Sequence, residues 1–336
     1  MKTTVDIKPK LAFAGVGWIG RARLQAAAES GLAETALLSD PSQACIEEAL
    51  KLAPQSKTTT SFEDTITETD IDGVVIATPS ALHKAQAVAA FEKGKAVFCQ
   101  KPLGRNLEEV TAVVDAAKKA NRLLGADFSY RYTTAFQKIY SVIQSGELGK
   151  IFAVDLKFHN AYGPDKPWFY DLALSGGGCV LDLGIHLIDL MLYALNFPQA
   201  THVNSSLFAK GVSVKGKQEV EDYAVVSMQL ENDVTTQLAC SWNLAAGCEA
   251  VIEASFYGTK GGVALKNVNG SFYDFAGLRY WGTKTETIAT PPDNWGGKAI
   301  LGWIQKLSVD NTYNKEEAEQ YLKSAEVLDK IYGRMA

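Results

Sequence analysis

The sequence is poor in the residues that build disulfide frameworks and metal centres. It has five cysteines and four histidines in 336 residues, and no two cysteines form a CxxC pair. An odd number of scattered cysteines in a chain of this length argues against a disulfide scaffold and against a zinc cluster. We therefore predict no metal site and a reducing, cytoplasmic location.

Long hydrophobic runs and excess positive charge are also missing. No stretch approaches the roughly 20 apolar residues that a transmembrane helix needs, and the apolar segment 11–16 is too short and too glycine-bounded for a signal peptide. The net charge is −5 and the pI is near 5.5, whereas nucleic-acid-binding proteins usually carry a basic face. These absences leave a small molecule as the expected partner, with neither membrane nor nucleic acid.

The polar and apolar pattern changes along the chain, whose length is typical of two domains. Short unalternated apolar strands separated by helical stretches indicate a parallel sheet, at 11–14, 35–39, 73–77, 96–99 and 122–126. Alternating segments indicate an antiparallel sheet, at 151–159, 203–208, 223–230, 234–241 and 250–257. The predicted fold is α/β. An N-terminal Rossmann dinucleotide-binding domain covers 1–127, and a C-terminal α+β domain with a large, mostly antiparallel open sheet covers 128–336.

A glycine-rich loop follows the first predicted strand and opens the first helix. It reads Gly15, Val16, Gly17, Trp18, Ile19, Gly20, which is a GxGxxG pattern. The first glycine permits the tight turn, the second lets a pyrophosphate approach the backbone, and the third lets helix and strand pack closely. The helix N-terminus offers N–H groups and partial positive charge to the phosphates. The loop predicts dinucleotide binding.

The choice between NAD and NADP depends on Asp40. This residue ends the second predicted strand, 20 residues after Gly20. A carboxylate there can accept hydrogen bonds from the ribose hydroxyls and repels a 2′-phosphate. We predict NAD, with NADP left open because Ser39 and Ser42 could accommodate a phosphate.

Two further motifs follow the glycine loop. Thr78, Pro79 and His83 precede the segment Gln100-Lys101-Pro102, and residues 176–189 read GGGCVLDLGIHLID. Together with the glycine loop, these motifs resemble the glucose–fructose oxidoreductase / inositol dehydrogenase family (Gfo/Idh/MocA) over essentially the whole chain. The family usually has glutamate where this chain has Gln100, which removes a negative charge beside Lys101 but keeps an amide oxygen that can accept from a ribose hydroxyl.

The resemblance implies a Rossmann domain and a second domain whose open sheet often builds oligomer contacts, so we expect a dimer or tetramer. It also implies active-site roles for Lys101, Asp182 and His186. Hydride transfer from an alcohol needs a base for the hydroxyl proton and a group that stabilises charge on the oxygen. The unperturbed pKa of histidine, about 6.5, suits His186 as base in oxidation and acid in reduction.

Lys101 would hydrogen-bond the reacting oxygen. Asp182 and His186 stand at i and i+4 and would share a helix face, so Asp182 could orient His186 or bind a neighbouring hydroxyl. The candidate catalytic residues are Lys101, Asp182 and His186. The candidate cofactor-binding residues are Gly15, Gly17, Trp18, Ile19, Gly20, Asp40, Thr78, Pro79, His83, Gln100 and Lys101.

Substrate contacts are expected from the loop around residues 162–169, where turn formers and aromatic side chains suit a sugar surface. The candidate substrate-binding residues are Lys101, Arg131, Tyr162, Trp168, Asp182 and His186. Three assignments keep a structural alternative: His83 as a helix start, Trp18 as buried packing, and Arg131 as a surface residue. Cys99 and Cys179 lie next to motifs but are assigned no chemistry.

Three functions fit these observations. The first is an NAD(P)-dependent dehydrogenase or reductase acting on a sugar, cyclitol or related polyol. The second is a redox-neutral glycosidase that uses bound NAD for transient oxidation, and the third is a non-catalytic dinucleotide sensor. Net NADH production separates the first from the second, and the presence of both Lys101 and His186 argues against the third.

Overall fold

The structure is a computed structural model that describes residues 8–214 and 219–335. Within these ranges the chain forms two compact units. The first runs to Gly104 and adds Glu108–Ser129 and Gly296–Tyr321; the second comprises Arg105–Leu107, Tyr130–Trp295 and the chain from Leu322 onward. The change of unit after Ser129 lies close to the sequence boundary at 127. The return of 296–321 to the first unit differs from that two-segment division.

The N-terminal elements form a six-stranded parallel sheet with helices between the strands. In chain order they are β1 Lys10–Ala14, α1 Trp18–Ser30, β2 Glu34–Ser39, α2 Gln43–Leu50, β3 Lys57–Thr59, α3 Phe62–Thr67, β4 Gly73–Ile76, α4 Ser80–Glu92, β5 Ala96–Cys99, α5 Leu107–Ala120 and β6 Leu124–Ala126. The strand order is β3-β2-β1-β4-β5-β6, which is the doubly wound Rossmann order. The predicted Rossmann fold is confirmed, and the carboxyl ends of the strands carry the glycine loop, Asp40, Thr78 and Gln100.

The second unit is built on a nine-stranded sheet. Its elements are α6 Thr134–Gln144, β7 Ile151–Asn160, α7 Leu172–Ser175, α8 Ile185–Ala194, β8 Ala200–Ala209, β9 Val212–Ser213, β10 Tyr223–Leu230, β11 Thr235–Ser241, β12 Ala250–Gly258, β13 Gly262–Asn267, β14 Phe275–Trp281 and β15 Lys284–Ala289. The order is β15-β14-β13-β12-β7-β11-β10-β8-β9, and every neighbouring pair is antiparallel except β7 with β11. This confirms the large, mostly antiparallel sheet.

Two helices close the chain, α9 Lys298–Val309 and α10 Lys315–Ile331. Helix α9 belongs to the first unit, where the ring of Trp303 lies 5.7 Å from the ring of Phe98. A Cβ at Gly73 or at Gly125 would lie 2.6 Å from an atom of the Trp303 side chain. The indole therefore packs where two glycines leave room, which explains why this late segment returns to the first unit.

One helical stretch, Leu172–Ala194, is long and apolar enough by composition to cross a membrane. From the sequence, no apolar stretch of that length was predicted. In the structure 89% of its most apolar window is buried, as in the core helix of a folded domain.

Candidate active site

The glycine loop has the geometry that the sequence pattern predicts. Gly15 has a φ of +84°, and a Cβ there would lie 2.6 Å from the carbonyl of Ala77. A Cβ at Gly20 would lie 2.0 Å from the carbonyl oxygen of Gly15, whereas nothing lies within 4 Å of one at Gly17. The outer glycines are thus required by packing, and the middle one leaves open space in front of the backbone.

Helix α1 begins at this open position. Gly17 is its N-cap, and no side chain caps the first turn. The residues after it are exposed Trp18, half-buried Ile19 and buried Gly20. An uncapped helix N-terminus beside an open glycine fits the pyrophosphate of a dinucleotide, because its N–H groups have no side-chain acceptor of their own. Trp18 is 69% exposed, which contradicts the buried-packing alternative.

Asp40 lies at the end of β2 and is fixed by two backbone N–H groups. Its two carboxylate oxygens accept from Val16 and from Ser42, each at 2.9 Å. The first of these bonds joins the carboxylate to the glycine loop. The neighbouring serine hydroxyls have partners as well: Ser39 donates to the carbonyl of Ser61, and Ser42 accepts from the N–H of Cys45 at the start of α2.

His83 connects the loops after β4 and β5. Its Nε2 lies 2.7 Å from the carbonyl oxygen of Thr78, and its Nδ1 lies 2.7 Å from that of Pro102. The ring is 1% exposed, and burial lowers the pKa of His83, against the opposing effect of both carbonyls. Both nitrogens lie against backbone carbonyl oxygens, so His83 connects these two loops; its cofactor contact stays a prediction. Pro79 is exposed and is the N-cap of α4.

Gln100 and Lys101 follow β5. Lys101 is half-buried. Gln100 is 7% exposed, and its amide nitrogen donates to the carboxylate of Asp127, a contact that the sequence analysis did not foresee.

The second unit carries the GGG motif. At each of its three positions a different neighbouring group leaves no room for a side chain. Gly176 has a φ of +82° and ends α7, and a Cβ there would lie 2.5 Å from the Arg105 side chain. A Cβ at Gly177 would lie 2.2 Å from the hydroxyl of Tyr332, and one at Gly178 would lie 1.8 Å from the carbonyl oxygen of Glu221. The motif is therefore a close-packing turn that leads into the helix bearing Asp182 and His186.

Glu221 binds the start of that helix and was missed by the sequence analysis. Its two carboxylate oxygens accept from the N–H of Gly178 at 2.9 Å, from the N–H of Val180 at 3.0 Å, and from the hydroxyl of Tyr332 at 2.8 Å. It is 1% exposed, and burial raises the pKa of Glu221 against the effect of these donors. No local sequence signal marks this glutamate, because it is 43 residues from Gly178 in the chain.

The helix itself differs from the expected regular α-helix. Val180–Gly184 is a π-helical turn, and α8 begins only at Ile185. A π-turn places about one residue more in each turn, so Asp182 and His186 do not have the simple i, i+4 relation of an α-helix. Such turns are frequent at functional sites.

Asp182 and His186 have different neighbours in this unit. The indole N–H of Trp242 donates to Asp182 at 3.1 Å. His186 is 8% exposed, and its ring lies 4.5 Å from the ring of Tyr130. The ring of Tyr130 in turn lies 4.9 Å from Trp295. The ring of Tyr130 therefore packs against the histidine, and Trp242 donates to the aspartate.

The predicted substrate loop reaches Trp242. The rings of Trp168 and Phe169 stack at 3.8 Å, and Phe169 and Tyr170 lie 6.3 and 5.6 Å from the indole of Trp242. Tyr162 is 49% exposed. Trp242, which was not singled out from the sequence, thus contacts both this loop and Asp182.

Arg131 is not at the surface. It is 9% exposed, and its Nε and Nη2 donate to the two oxygens of Asp189 at 2.7 and 2.5 Å. Its guanidinium also lies 4.6 Å from the ring centre of Tyr193. Desolvation raises the pKa of Asp189, and the nearby Arg131 opposes that shift. This buried pair joins the segment before α6 to α8, so Arg131 has a structural partner where a substrate contact or a surface position was expected.

Among residues 8–214 and 219–335 no group of three His, Cys, Asp or Glu could hold a metal ion. The five cysteines are free. Cys179 and Cys240 are both buried with their sulfur atoms 3.8 Å apart. Burial raises the pKa of Cys179, which disfavours the reactive thiolate.

Two family models match the chain. Residues 10–128 match the oxidoreductase family with an NAD-binding Rossmann fold, and residues 136–264 match the GFO/IDH/MocA C-terminal domain. Together they cover parts of both units and all three motifs.

The individual proteins that are similar to this chain are also named as sugar oxidoreductases. The chain is 31% identical to a 1,5-anhydro-D-fructose reductase of Ensifer adhaerens over 63% of this chain and 62% of the reductase, so it spans less than two thirds of that relative. It is 31% identical to a glucose-6-phosphate 3-dehydrogenase of Bacillus subtilis over 69% of this chain and 67% of that enzyme. A solved levoglucosan dehydrogenase in complex with NADH and levoglucosan has the same fold, with a TM-score of 0.81, 20% identity and 97% coverage of both chains.

Proposed function

The chain belongs to the Gfo/Idh/MocA family of oxidoreductases, and from this premise we propose that it is an NAD(P)-dependent sugar or polyol dehydrogenase or reductase. The substrate would be a sugar, a cyclitol or a related polyol with a hydroxyl-bearing carbon. The names of the relatives support a sugar-like substrate. The observation that carries the proposal is the open backbone at Gly17 before the uncapped helix α1, which fits a dinucleotide pyrophosphate.

When bound, the nicotinamide would accept or donate the hydride. In our proposal the residues of this chain handle the proton and the charge on oxygen. The ammonium of Lys101 hydrogen-bonds the reacting oxygen and stabilises its developing negative charge. His186 takes the hydroxyl proton in oxidation and returns it in reduction.

Asp182 would bind a neighbouring hydroxyl of the substrate. Trp242 donates to one of its oxygens, and an ionised carboxylate has further acceptor capacity. The aromatic residues Trp168 and Tyr162 would pack against the C–H face of the sugar ring. In this proposal Arg131 has no ligand contact, because its guanidinium is paired with Asp189.

We expect purified protein to produce NADH from NAD with at least one member of a panel of sugars and inositols. The measurement is absorbance at the NADH band, run in parallel with NADP and in the reverse direction with the corresponding keto compounds. A redox-neutral glycosidase would release a leaving group from aryl glycosides without net NADH. A sensor would bind NADH, as seen by its fluorescence, and turn over nothing, and either result would replace the dehydrogenase proposal.

NAD is the preferred dinucleotide in this proposal. The carboxylate of Asp40 is held by two N–H groups at the end of β2, and both neighbouring serine hydroxyls already have backbone partners. A 2′-phosphate would therefore meet the fixed negative charge of Asp40, and the hydroxyl of Ser39 already donates to a backbone carbonyl.

Replacing Asp40 with asparagine should shift cofactor preference toward NADP by about tenfold in the ratio of the two Kd values, since a repulsion of about 1.4 kcal/mol is removed. The measurement is titration of protein fluorescence with NADH and NADPH. The matched control is Asp115→Asn, which removes an exposed carboxylate on α5. An unchanged ratio in Asp40→Asn would exclude Asp40 as the discriminating residue.

We also propose that the chain forms a homo-oligomer through the second unit. Strands β10 and β11 alternate buried and exposed residues, so one face of their sheet lies in the core and the other is exposed. Val225, on the exposed face of β10, is 43% exposed. Apolar side chains on an open sheet face are typical of subunit contacts.

A further inference from the structure

Beside the loop that carries Lys101 lies a buried polar cluster in the first unit, formed by Arg23, Gln100, Asp127 and Ser129; we call it the Asp127 cluster. Arg23 and Asp127 are 7% and 1% exposed. The Nε of Arg23 and the amide nitrogen of Gln100 both donate to the same oxygen of Asp127, and Nη2 of Arg23 lies 3.3 Å from the hydroxyl of Ser129.

The charge of this cluster balances with one carboxylate only. Asp127 and the Arg23 guanidinium neutralise each other, and Gln100 adds an uncharged donor. If position 100 carried a carboxylate, two buried carboxylates would share one guanidinium. An unpaired buried charge is strongly unfavourable, so the cluster requires an amide at position 100 as long as Asp127 is present.

The same contact decides how the Gln100 amide is oriented. An ionised carboxylate can only accept hydrogen bonds, so the end of Gln100 that faces Asp127 must be the NH₂ group. The carbonyl oxygen then occupies the other end, where it can accept a hydrogen bond. A glutamate needs no such orientation, because both of its oxygens accept.

We propose that Asp127 is a positioning residue that supplies the carboxylate missing from position 100 and turns the Gln100 carbonyl toward a ribose hydroxyl of the bound dinucleotide. The part that concerns the dinucleotide rests on the proposed function. In this arrangement Asp127, the residue after β6, carries the negative charge that the family usually has at position 100. The carbonyl oxygen of Gln100 remains as a hydrogen-bond acceptor.

The test is a set of three variants: Gln100→Glu, Asp127→Asn, and the double substitution Gln100→Glu with Asp127→Asn. The double variant keeps one carboxylate, one amide and one guanidinium, as in the wild type. Thermal unfolding is followed from pH 5 to pH 8.5, and the Kd for NADH is measured by fluorescence on folded protein.

For Gln100→Glu we expect a lower Tm and a characteristic pH dependence. Two carboxylates in contact raise the folded-state pKa of one of them above its unfolded value. A raised folded pKa gives stability that is present at low pH and lost as the pH rises, so the Tm deficit should grow toward pH 8.5 and reach about 10 °C. Asp127 also faces Arg23, to which it is paired, and Cys99, whose pKa is raised by burial and by Asp127, so that the thiol does not titrate in this range.

Asp127→Asn should weaken NADH binding about tenfold, because the Gln100 amide loses its fixed orientation. A purely structural role for Asp127 would lower the Tm and leave the Kd of the folded protein unchanged. The double variant should recover most of both losses and show no growing Tm deficit with pH.

The proposal is overturned if Gln100→Glu matches the wild type at every pH, if the double variant is no better than Gln100→Glu alone, or if Asp127→Asn leaves the Kd for NADH unchanged. The Tm comparison needs neither cofactor nor substrate. It therefore tests whether the carboxylate of Asp127 replaces one at position 100, even if the proposed enzymatic function fails. Absence of NADH binding by the wild type would count against the proposed function and against the positioning role. The Tm values would still show whether the cluster accepts only one carboxylate at positions 100 and 127.

Discussion

Replacing Lys101 with alanine is expected to lower kcat/KM for hydride transfer by about 10²–10³-fold, with the Kd for NADH within about twofold of the wild type. The reason is that the ammonium would act on the reacting oxygen, where charge develops in the transition state, whereas the pyrophosphate is held by the glycine loop. Steady-state kinetics with the substrate found in the sugar panel and NADH fluorescence titration provide the two readouts. Lys118→Ala, an exposed lysine on α5, is the matched control.

The outcomes for Lys101→Ala separate three roles. A loss of rate without loss of NADH affinity supports the assignment. A parallel loss of NADH affinity would make Lys101 a cofactor-binding residue, and unchanged turnover would remove it from the mechanism. The loop itself should remain folded, because His83 holds the carbonyl oxygens of Thr78 and Pro102 independently of the lysine side chain.

Replacing Glu221 with alanine should destabilise the protein by about 3–5 kcal/mol, since three buried donors, the N–H groups of Gly178 and Val180 and the hydroxyl of Tyr332, lose their acceptor. For a domain of this size that corresponds to a Tm decrease of about 10 °C. Glu221→Gln keeps one acceptor oxygen and should be milder. Glu219→Gln is the control, because Glu219 is exposed two residues away.

Glu221 also has a pH signature. Burial raises its pKa above the ordinary value of 4.5. A carboxyl group whose folded pKa is raised contributes stability below its unfolded pKa and loses it as the pH rises through the folded pKa. The wild type should therefore lose part of its Tm advantage over Glu221→Gln as the pH rises above the ordinary pKa of a glutamate. A Tm difference between the wild type and Glu221→Gln that stays constant as the pH rises would contradict the raised pKa. The loss of stability in Glu221→Ala would still show that the carboxylate holds the helix start.

The early strands could be predicted because each is a short apolar run whose residues are buried on both faces, as in Gly73–Ile76 and Ala96–Cys99. The late strands β13, β14 and β15 were missed; β13 contains the short buried run Val263–Leu265, but β14 and β15 have no comparable apolar run. Lys284–Ala289, for example, has four exposed residues out of six. Helix α9 was missed for another reason: its place depends on room left for Trp303 by Gly73 and Gly125, far away in the chain.

The residues of the candidate site also fall into those that could be predicted from the local sequence and those that could not. Gly15, Gly20 and Asp40 could be found from the sequence because a local turn and a strand end determine what they do. Gln100, His83 and Arg131 were candidates for ligand contacts, and the structure shows in addition that they contact Asp127, two backbone carbonyls and Asp189, respectively. These partners lie 27, 19 and 58 residues away in the chain, apart from the nearby Thr78, so spacing carries no trace of them.

By itself the sequence determined the Rossmann fold of the first domain, the dinucleotide loop, the mostly antiparallel second sheet and the family. These follow from local periodicity, from turn geometry and from motifs read along a continuous stretch of chain. Only the tertiary structure decided that Glu221 binds the GGG turn, that Trp242 holds Asp182, and that Asp127 rather than position 100 carries the buried carboxylate. Each of these depends on burying a charged or polar group beside a partner that is distant in sequence, and the cost of leaving such a group unpaired is set by the packed interior, not by the order of residues.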